Sequence, residues 1–217
     1  MAKWGMVIDL QKCIGCYSCV ISCRQEHFLP RNIYWNRVLV SEEGKYPAVR
    51  KVILPVLCNH CKEAPCVKAC PTRATTQRDD GIVQVDYDKC VGCRYCLIAC
   101  PYQQRTFYSD DKTEYFPGQG LTSYELIGKE LHTYQAGTVM KCNFCRERID
   151  DGIKKGMIPG IDREATQACV IACPSKARYF GDLDDPESEV SRLIIEKKAV
   201  QLHHEFGTNP SVYYIKG

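Results

Sequence analysis

The chain has 217 residues, of which 45% are hydrophobic and 25% charged, and its formal net charge is +3. These values are those of an ordinary globular chain of one or two domains, and they exclude disorder and low complexity. No apolar run approaches the roughly 18 residues that a membrane helix needs, so we predict no direct membrane span.

Sixteen cysteines dominate the composition and fall into four groups of four along the chain. The first group has the spacing C-x2-C-x2-C-x3-C, the second C-x2-C-x4-C-x3-C, and the third repeats the first. In the fourth group the second gap grows to 23 residues. In chain order the groups are Cys13, Cys16, Cys19 and Cys23; Cys58, Cys61, Cys66 and Cys70; Cys90, Cys93, Cys96 and Cys100; and Cys142, Cys145, Cys169 and Cys173.

Short apolar runs before the groups predict strands, and the segments from third to fourth cysteine predict single helical turns. The strand candidates are residues 6–8, 52–57 and 82–85. In three groups a proline follows the last cysteine, namely Pro71, Pro101 and Pro174, and the residue before a proline disfavours helix. The first group has Arg24 at this position.

Two cysteine-free stretches, 102–141 and 146–168, interrupt the pattern, and we predict that both are surface insertions. Solvated loops and docking surfaces for a partner are equally consistent with them. The tail contains a predicted amphipathic helix, 187–200, of the kind that packs on a core. Its apolar residues are Val190, Leu193, Ile194 and Val200.

The cysteine groups belong to an internal repeat. A shift of 77 residues lays the flanks of the first group, Asp9, Lys12, Gly15 and Ile21, onto Asp86, Lys89, Gly92 and Ile98 of the third. A shift of 103 residues lays Cys66, Val67, Ala69, Cys70, Pro71 and Ala74 onto Cys169, Val170, Ala172, Cys173, Pro174 and Ala177. The order of the groups is therefore A-B-A-B.

The first cysteine, at position 13, leaves no room for a signal peptide, and the sequence has no Arg-Arg pair, so we expect no export signal on this chain. So many cysteines without a secretory signal indicate metal ligation rather than disulfides.

The C-x2-C-x2-C-x3-C-P run is that of bacterial ferredoxins, in which the fourth cysteine ligates the other cluster of a pair. Structural zinc sites use two C-x2-C knuckles, and a further cysteine so close crowds a tetrahedral ion. The groups predict four [4Fe–4S] clusters, with a zinc-stabilised binding module as the alternative from another class.

Four oxidised clusters would each bring a net charge of about −2 and move the chain to about −5, mildly acidic, so we expect no nucleic-acid partner. Cations beside ligands could offset this charge, although ordinary solvated surface explains each of them as well; they are Lys12, Lys89, Arg94 and Lys141. His60, between Cys58 and Cys61, could donate a hydrogen bond to sulfur, but an ordinary histidine, packed or exposed, is favoured, and we assign it no ligand role.

The repeat pairs each A group with a B group, and two arrangements are open. Neighbours pair, first with second and third with fourth, or the pairs are nested, first with fourth and second with third. The spacing alone does not choose between them.

Five segments carry a more specific pattern: MVIDLQKCIGC (6–16), CNHCKEAPCVKACP (58–71), DKCVGC (88–93), KCNFC (141–145) and FGDLDDPE (180–187). They resemble the four-cluster iron–sulfur subunits of the DMSO reductase family of molybdopterin oxidoreductases. The closing GTNPSVYY (207–214) is similar to the end of the polysulfide and respiratory arsenate reductase branches. The 23-residue gap in the fourth group is longer than in the usual member.

The resemblance implies nested pairing, with all sixteen cysteines as cluster ligands. The sets are Cys13, Cys16 and Cys19 with Cys173; Cys142, Cys145 and Cys169 with Cys23; Cys58, Cys61 and Cys66 with Cys100; and Cys90, Cys93 and Cys96 with Cys70.

The implied fold is α+β, with two bacterial-ferredoxin-like modules of short strands and helical turns, loop insertions and a C-terminal extension. The predicted limits are 1–50 with 136–185 for the first module, 51–110 for the second, 111–135 for an insertion and 186–217 for the extension.

The implied function is electron transfer through four clusters, without a catalytic residue in this chain. The implied partners are a large molybdenum or tungsten bis-pterin catalytic subunit and a quinone-linked or soluble redox partner, for which a membrane quinone-reactive subunit is one candidate. The equivalent subunit of a hydrogenase or formate dehydrogenase complex is the alternative. Export with a signal-bearing partner favours the extracytoplasmic side over the cytoplasm.

Overall fold

The structure, a computed structural model, describes residues 2–109, 114–132 and 134–217. They form one four-stranded sheet, three two-stranded sheets and short helices, which confirms the predicted mixture of α and β structure. The strands are β1 Trp4–Asp9, β2 Asn36–Lys45, β3 Ala48–Leu57, β4 Thr75–Gln77, β5 Val83–Val85, β6 Thr106–Tyr108, β7 Thr138–Met140, β8 Arg178–Asp182, β9 Val200–Gln201 and β10 Val212–Ile215. The α-helices are α1 Ser18–Glu26, α2 Pro65–Lys68, α3 Tyr95–Ile98, α4 Ser123–Leu131, α5 Arg146–Lys154, α6 Ala168–Ile171 and α7 Glu189–Glu196, and 3-10 turns lie at Arg163–Ala165 and His204–Phe206.

The four-stranded sheet has the order β8-β1-β10-β9. Its strand β1 is buried along its whole length, as expected for an apolar strand that is covered on both faces. β1 pairs antiparallel with β8 and parallel with β10. The C-terminal segment therefore belongs to the sheet that begins at the N-terminus, because β9 and β10 of the predicted extension, 186–217, lie in it.

The sequence repeat is also a repeat of strand pairs. Ile8 in β1 lies opposite Arg178 in β8, and Val85 in β5 lies opposite Thr75 in β4. The shifts of 77 and 103 residues carry the first of these pairs onto the second. Each copy thus joins the strand before an A group to the strand after a B group.

The predicted helical turns are confirmed, and their lengths follow the prolines. α2, α3 and α6 have four residues each, and each ends just before a cysteine–proline pair. α1 has nine residues and continues past Cys23, because Arg24 stands where the other groups have proline. α1 packs against α6, and α2 packs against α3. The helices of the first group therefore meet those of the fourth, and the second group meets the third.

The two cysteine-free stretches contain more regular structure than predicted. α5 lies in the second stretch, where Ile149 and Ala165 are completely buried. β6, α4 and β7 lie in the first, although residues 110–113 and 133 fall outside the described residues. The prediction of a surface insertion is wrong for the buried face of α5. The reason is that α5 carries only two large apolar residues among charged ones, which gives too weak a periodic signal.

The tail helix is shorter than predicted. α7 begins after Ser188, whose Oγ accepts a hydrogen bond from the Ser191 amide at 3.2 Å, and it ends at Glu196. Val190 is fully buried and clusters with Val7 and Ile215, as the apolar stripe predicts. Val200 belongs instead to β9, because an apolar residue at helical spacing is equally compatible with a following strand.

Strands β2 and β3 form a long hairpin whose second strand includes the predicted strand 52–57. Its base contacts the core, where the Tyr214 hydroxyl donates to the Pro55 carbonyl at 3.0 Å. Residues from Leu39 to Arg50 are exposed. The predicted module boundary after residue 50 falls within β3, and the domain limits stay predictions.

Candidate metal-cluster centres

All sixteen cysteines lie within the described residues, and each is a free thiol. Most are buried or partly buried, but Cys16 and Cys93 are exposed. These two occupy equivalent positions in the first and third groups. The two A groups therefore each present one thiol at the surface.

The first group shares a cavity with the last cysteine of the fourth group. The cysteines that line this cavity are Cys13, Cys16, Cys19 and Cys173. Ile8 of β1 and Arg178 of β8 also line it, because these strands bring the two groups together. Burial raises the pKa of the Cys19 thiol, and nearby thiols that include Cys13 and Cys173 raise it further.

Cys23, the last cysteine of the first group, lies beside the fourth group. Burial raises the pKa of this thiol well above its ordinary value, and the next contributions come from the thiols of Cys142, Cys145 and Cys169. The extended helix α1 and its packing on α6 explain this position. Cys23 therefore lies beside the fourth group, as Cys173 lies beside the first.

We call the first and fourth groups the first half of the structure, and the second and third groups the second half. In the second half, the last cysteine of the third group lies beside Cys58, Cys61 and Cys66. Burial, followed by Cys58, raises the pKa of Cys61 to about 12, and Cys66 and Cys100 add to it. The pKa of Cys100 is raised by burial and also by Cys58 and Cys66. The last cysteine of the third group thus lies beside the second group.

The remaining set is less enclosed. Burial raises the pKa of Cys96, and the thiols of Cys66 and Cys90 raise it further. Cys70 follows α2 as Cys173 follows α6, so the two cysteines hold equivalent positions in the repeat. Within the described residues, no three His, Cys, Asp or Glu side chains are close enough together to hold a single metal ion.

The two halves meet at a junction between Cys58 and Cys142. Burial raises the pKa of Cys142 to about 12, and the largest further contribution comes from Cys58 of the other half. Lys141 is buried at the same place, where its Nζ donates to the Cys142 carbonyl at 2.6 Å and to the Val83 carbonyl. The thiols around Cys58 are therefore neighbours of the thiols around Cys142.

Backbone amides donate hydrogen bonds to the sulfurs of the last cysteine of each B group. The Ala177 amide donates to Cys173 Sγ at 3.3 Å, and the Thr75 amide donates to Cys70 Sγ at 3.4 Å. Hydrogen bonds of this kind stabilise a thiolate and tune the potential of a cluster that it binds. The two halves of the repeat therefore share this feature of their ligands as well.

His27 is a residue that the sequence analysis missed. Its Nε2 lies 3.2 Å from Cys145 Sγ, and the ring packs against Trp35 at a tilt of 41° with centroids 4.6 Å apart. Burial lowers the pKa of His27 to about 4, so the ring is neutral near neutral pH. The signal in the sequence was the position of His27, four residues after Cys23. Residues i and i+4 share a helix face, and no proline ends α1 at Cys23.

His60 is packed, which is one of the two ordinary states that the sequence left open, and its ring accepts a hydrogen bond. Its Nδ1 accepts from the Val83 amide at 3.0 Å, which leaves the proton on Nε2. The ring stacks on Phe144 with centroids 3.8 Å apart, and burial lowers its pKa well below the ordinary value. Nε2 is buried, and no hydrogen-bond partner for it lies in the part of the chain that the structure describes. A cluster sulfur is an acceptor that would suit this donor.

Of the four cations predicted to offset cluster charge, only Lys141 is buried beside thiols. Lys12 and Lys89 are exposed and face Asp9 and Asp86 at 4.0 and 2.9 Å. Arg94 lies over the ring of Phe107 at 3.7 Å.

Two buried arginines beside thiols were missed, Arg105 and Arg178, because neither adjoins a cysteine in sequence. Arg105 Nη2 is another buried donor for which the described residues supply no hydrogen-bond partner. The orphaned donors and the grouped thiols together fit sulfur-rich clusters.

Comparisons with known proteins agree with this site. A family described as "4Fe-4S dicluster domain" matches residues 49–117, and a second, "4Fe-4S binding domain", matches residues 10–27. A Halobacterium salinarum protein, named as a candidate iron–sulfur subunit of dimethyl sulfoxide reductase, is 44% identical over 100% of this chain and 80% of its own length.

Two further relatives are similar over almost the whole chain. A selenate reductase subunit of Mesobacillus selenatarsenatis is 40% identical over 98% of this chain and 72% of its own length. The arsenate respiratory reductase iron–sulfur subunit of Shewanella sp. is 38% identical over 99% of this chain and 96% of its own length.

The strand repeat, the grouped thiols and these matches define a ferredoxin-like protein that binds [4Fe–4S] clusters. More specifically, the chain belongs to the family of iron–sulfur electron-transfer subunits of the DMSO reductase-type molybdopterin oxidoreductases. Among the described residues, no helix has the length and apolar character needed to cross a bilayer.

Proposed function

We propose that this chain holds four [4Fe–4S] clusters in the nested arrangement and relays electrons along them one at a time. The sets are Cys13, Cys16, Cys19 and Cys173; Cys23, Cys142, Cys145 and Cys169; Cys58, Cys61, Cys66 and Cys100; and Cys70, Cys90, Cys93 and Cys96. The observation that carries this proposal is the position of Cys23 among Cys142, Cys145 and Cys169. Pairing of neighbouring groups would need Cys23 beside the second group instead.

The order of the sets along the relay follows from their neighbours. Cys142 lies beside Cys58, so the second and third sets adjoin at the centre. The first and fourth sets contain the exposed Cys16 and Cys93 and form the two ends. Bound clusters supply one-electron redox centres, while this chain's residues hold them, exclude water and set their local charge.

Both ends carry exposed apolar side chains suited to partner docking. Ile14 and Ile21 flank Cys16, and their equivalents Val91 and Ile98 flank Cys93; all four are exposed. Exposed apolar residues around a surface-accessible redox centre favour close contact with a second protein. We propose that the first set faces a bis-pterin catalytic subunit and the fourth set a quinone-linked or soluble partner. No residue of this chain is assigned to bond-making chemistry.

Metal and sulfide analysis tests the number of clusters. Anaerobically purified protein should contain roughly sixteen iron atoms with matching labile sulfide, four of each per cluster. Its visible absorption should bleach with dithionite. Stoichiometric zinc without colour would contradict the proposal in favour of a zinc-stabilised module. The identity of the co-purifying large subunit would separate a DMSO reductase-type complex from a hydrogenase or formate dehydrogenase complex.

Replacing His27 with phenylalanine should lower the reduction potential of one cluster. The reason is that a cluster-bound Cys145 sulfur carries no proton, so His27 Nε2 would donate to it, and this hydrogen bond favours the reduced cluster. We expect roughly a tenfold change in the reduction equilibrium, about 59 mV for one electron, in an anaerobic redox titration followed by EPR.

His132→Phe is the control for this prediction. His132 stands 6.3 Å from His27, centroid to centroid, and removing it takes away a neighbouring imidazole without a sulfur contact. Equal shifts in the two variants would show that the hydrogen bond to Cys145 is not the cause.

A further inference from the structure

Two arginines that are distant in sequence occupy matching places in the two halves. Arg178 is the β8 residue opposite Ile8, and the residue equivalent to it in β4 is Thr75. The threonine side chain is neutral, so Thr75 supplies no charge at this position. Arg105 brings one there instead, because its Nη1 donates to Thr75 Oγ1 at 3.2 Å. One guanidinium therefore stands at the same point of each half, although the two come from different segments.

The thiols around the two arginines also correspond. Arg178 lines the cavity that Cys19 and Cys173 also line. The thiols whose charge acts most strongly on Arg178 are Cys169, Cys19 and Cys173, and those that act most strongly on Arg105 are Cys66, Cys96 and Cys58. The repeat matches Cys169 with Cys66 and Cys19 with Cys96. In each half the two matched cysteines belong to different ligand sets. Each guanidinium is thus close to both clusters of its own half.

The oxygen atoms that accept hydrogen bonds from the two guanidinium groups, Thr75 Oγ1 and Asn36 Oδ1, are neutral. Arg178 is buried and donates through Nη2 to Asn36 Oδ1 at 2.9 Å, while Nη1 contacts Met6 Sδ at 3.8 Å. Arg105 is also buried, and its Nη2 has no hydrogen-bond partner among the described residues. A buried guanidinium stays protonated, and burying it is costly without a negative partner. Thiolates and the clusters that they bind would supply that negative charge.

A fixed positive charge acts on reduction in a known direction. A cluster with four thiolates carries a net charge of about −2 when oxidised, and reduction adds one more negative charge. A cation nearby stabilises the more negative state, more strongly inside a protein than in water. It also weakens the repulsion between two reduced clusters.

We propose that Arg178 and Arg105 are matched charge-compensating residues, one for each half, and that each raises the reduction potentials of the two clusters in its own half. The proposal rests on the four ligand sets assigned above. It adds that each half has a buried positive charge at the matching position, although the sequence repeat does not relate Arg178 to Arg105. Neither residue is a ligand; both act through the clusters.

The test is an EPR-monitored redox titration of the anaerobically purified complex carrying Arg178→Met or Arg105→Met. Methionine keeps much of the length and removes the charge. We expect Arg178→Met to lower both potentials of the first half by a tenfold or larger change in the reduction equilibrium, about 59 mV for one electron. The second half should stay unchanged. Arg105→Met should do the reverse, and Arg178→Lys and Arg105→Lys should retain most of the wild-type potentials.

Two outcomes would overturn the inference. One is a Met variant that keeps its full iron content and all four wild-type potentials. The other is a shift of the same size in both halves, which would indicate a general loss of packing. If a Met variant does not assemble its clusters, glutamine and lysine variants replace it. Equal potentials in Gln and Lys then contradict a charge effect. Wild-type protein without roughly sixteen iron atoms would instead refute the proposed function itself.

Discussion

Replacing Cys23 with alanine should remove the cluster held by Cys142, Cys145 and Cys169 and leave the one held by Cys13, Cys16 and Cys19 in place. The expectation follows from the thiols around Cys23, all of which belong to the fourth group. Iron content should fall by about four atoms if the cluster is lost, or by about one if a three-iron cluster remains. Because the clusters act in series, electron transfer through the complex should fall close to background.

The identity of the damaged site is decided by comparing EPR spectra of three variants. Cys23→Ala and Cys142→Ala should lose the same signal, whereas Cys13→Ala should lose a different one. Cys100→Ala is the matched control in the other half, where it should remove the signal that Cys58→Ala removes. Loss of the same signal in Cys23→Ala and Cys13→Ala would contradict the nested pairing.

Alanine at Gly92 should destabilise the third cysteine group strongly. Gly92 has φ +64°, and a Cβ there would lie 2.0 Å from the Gly137 carbonyl oxygen. The left-handed backbone alone costs roughly 1–2 kcal/mol with a side chain, and the backbone clash adds about 1–3 kcal/mol. The loop that presents Cys90 and Cys93 must therefore move, and thermal loss of the cluster absorption should occur at lower temperature.

Gly15→Ala is the control at the equivalent position of the first group. Gly15 has φ +68°, but the nearest atom to its Cβ is Ile53 Cδ1 at 3.0 Å, the end of a flexible side chain. Both variants share the backbone strain, and only Gly92→Ala has the backbone clash. We expect a midpoint roughly 2–12 °C lower for Gly92→Ala than for Gly15→Ala. Equal midpoints would contradict the prediction, because they would mean that the Gly137 carbonyl moves aside without a loss of stability.

Much of the local structure could be predicted because its causes lie within a few residues. Apolar runs before the groups became β1, β3 and β5, and the prolines after Cys70, Cys100 and Cys173 limited three helices to one turn. The missing proline at Arg24 also had a readable consequence, the longer α1. α5 escaped detection because its buried face is small, and the end of α7 because an apolar residue suits a helix or a strand.

The surroundings of the thiols were less predictable. His27, Arg105 and Arg178 reach thiols from other elements or from another helical turn, and no sequence neighbour marks them as part of the site. Arg105 is the clearest case, because the repeat places Thr75 where the other half has Arg178. A side chain that reaches this position from a distant segment cannot be predicted from the spacing of the cysteines.

The amino-acid sequence alone determined the number of cysteines, their grouping, the A-B-A-B repeat and the short strands and turns around them, since these depend on covalent spacing and local backbone preferences. Only the tertiary structure decided which groups meet, that Cys58 and Cys142 lie at the junction of the halves, and which buried cations and histidines surround the sulfurs. The physical reason is that pairing between distant segments is selected by the packing of β1 on β8 and of α1 on α6. No stretch of neighbouring residues contains that choice.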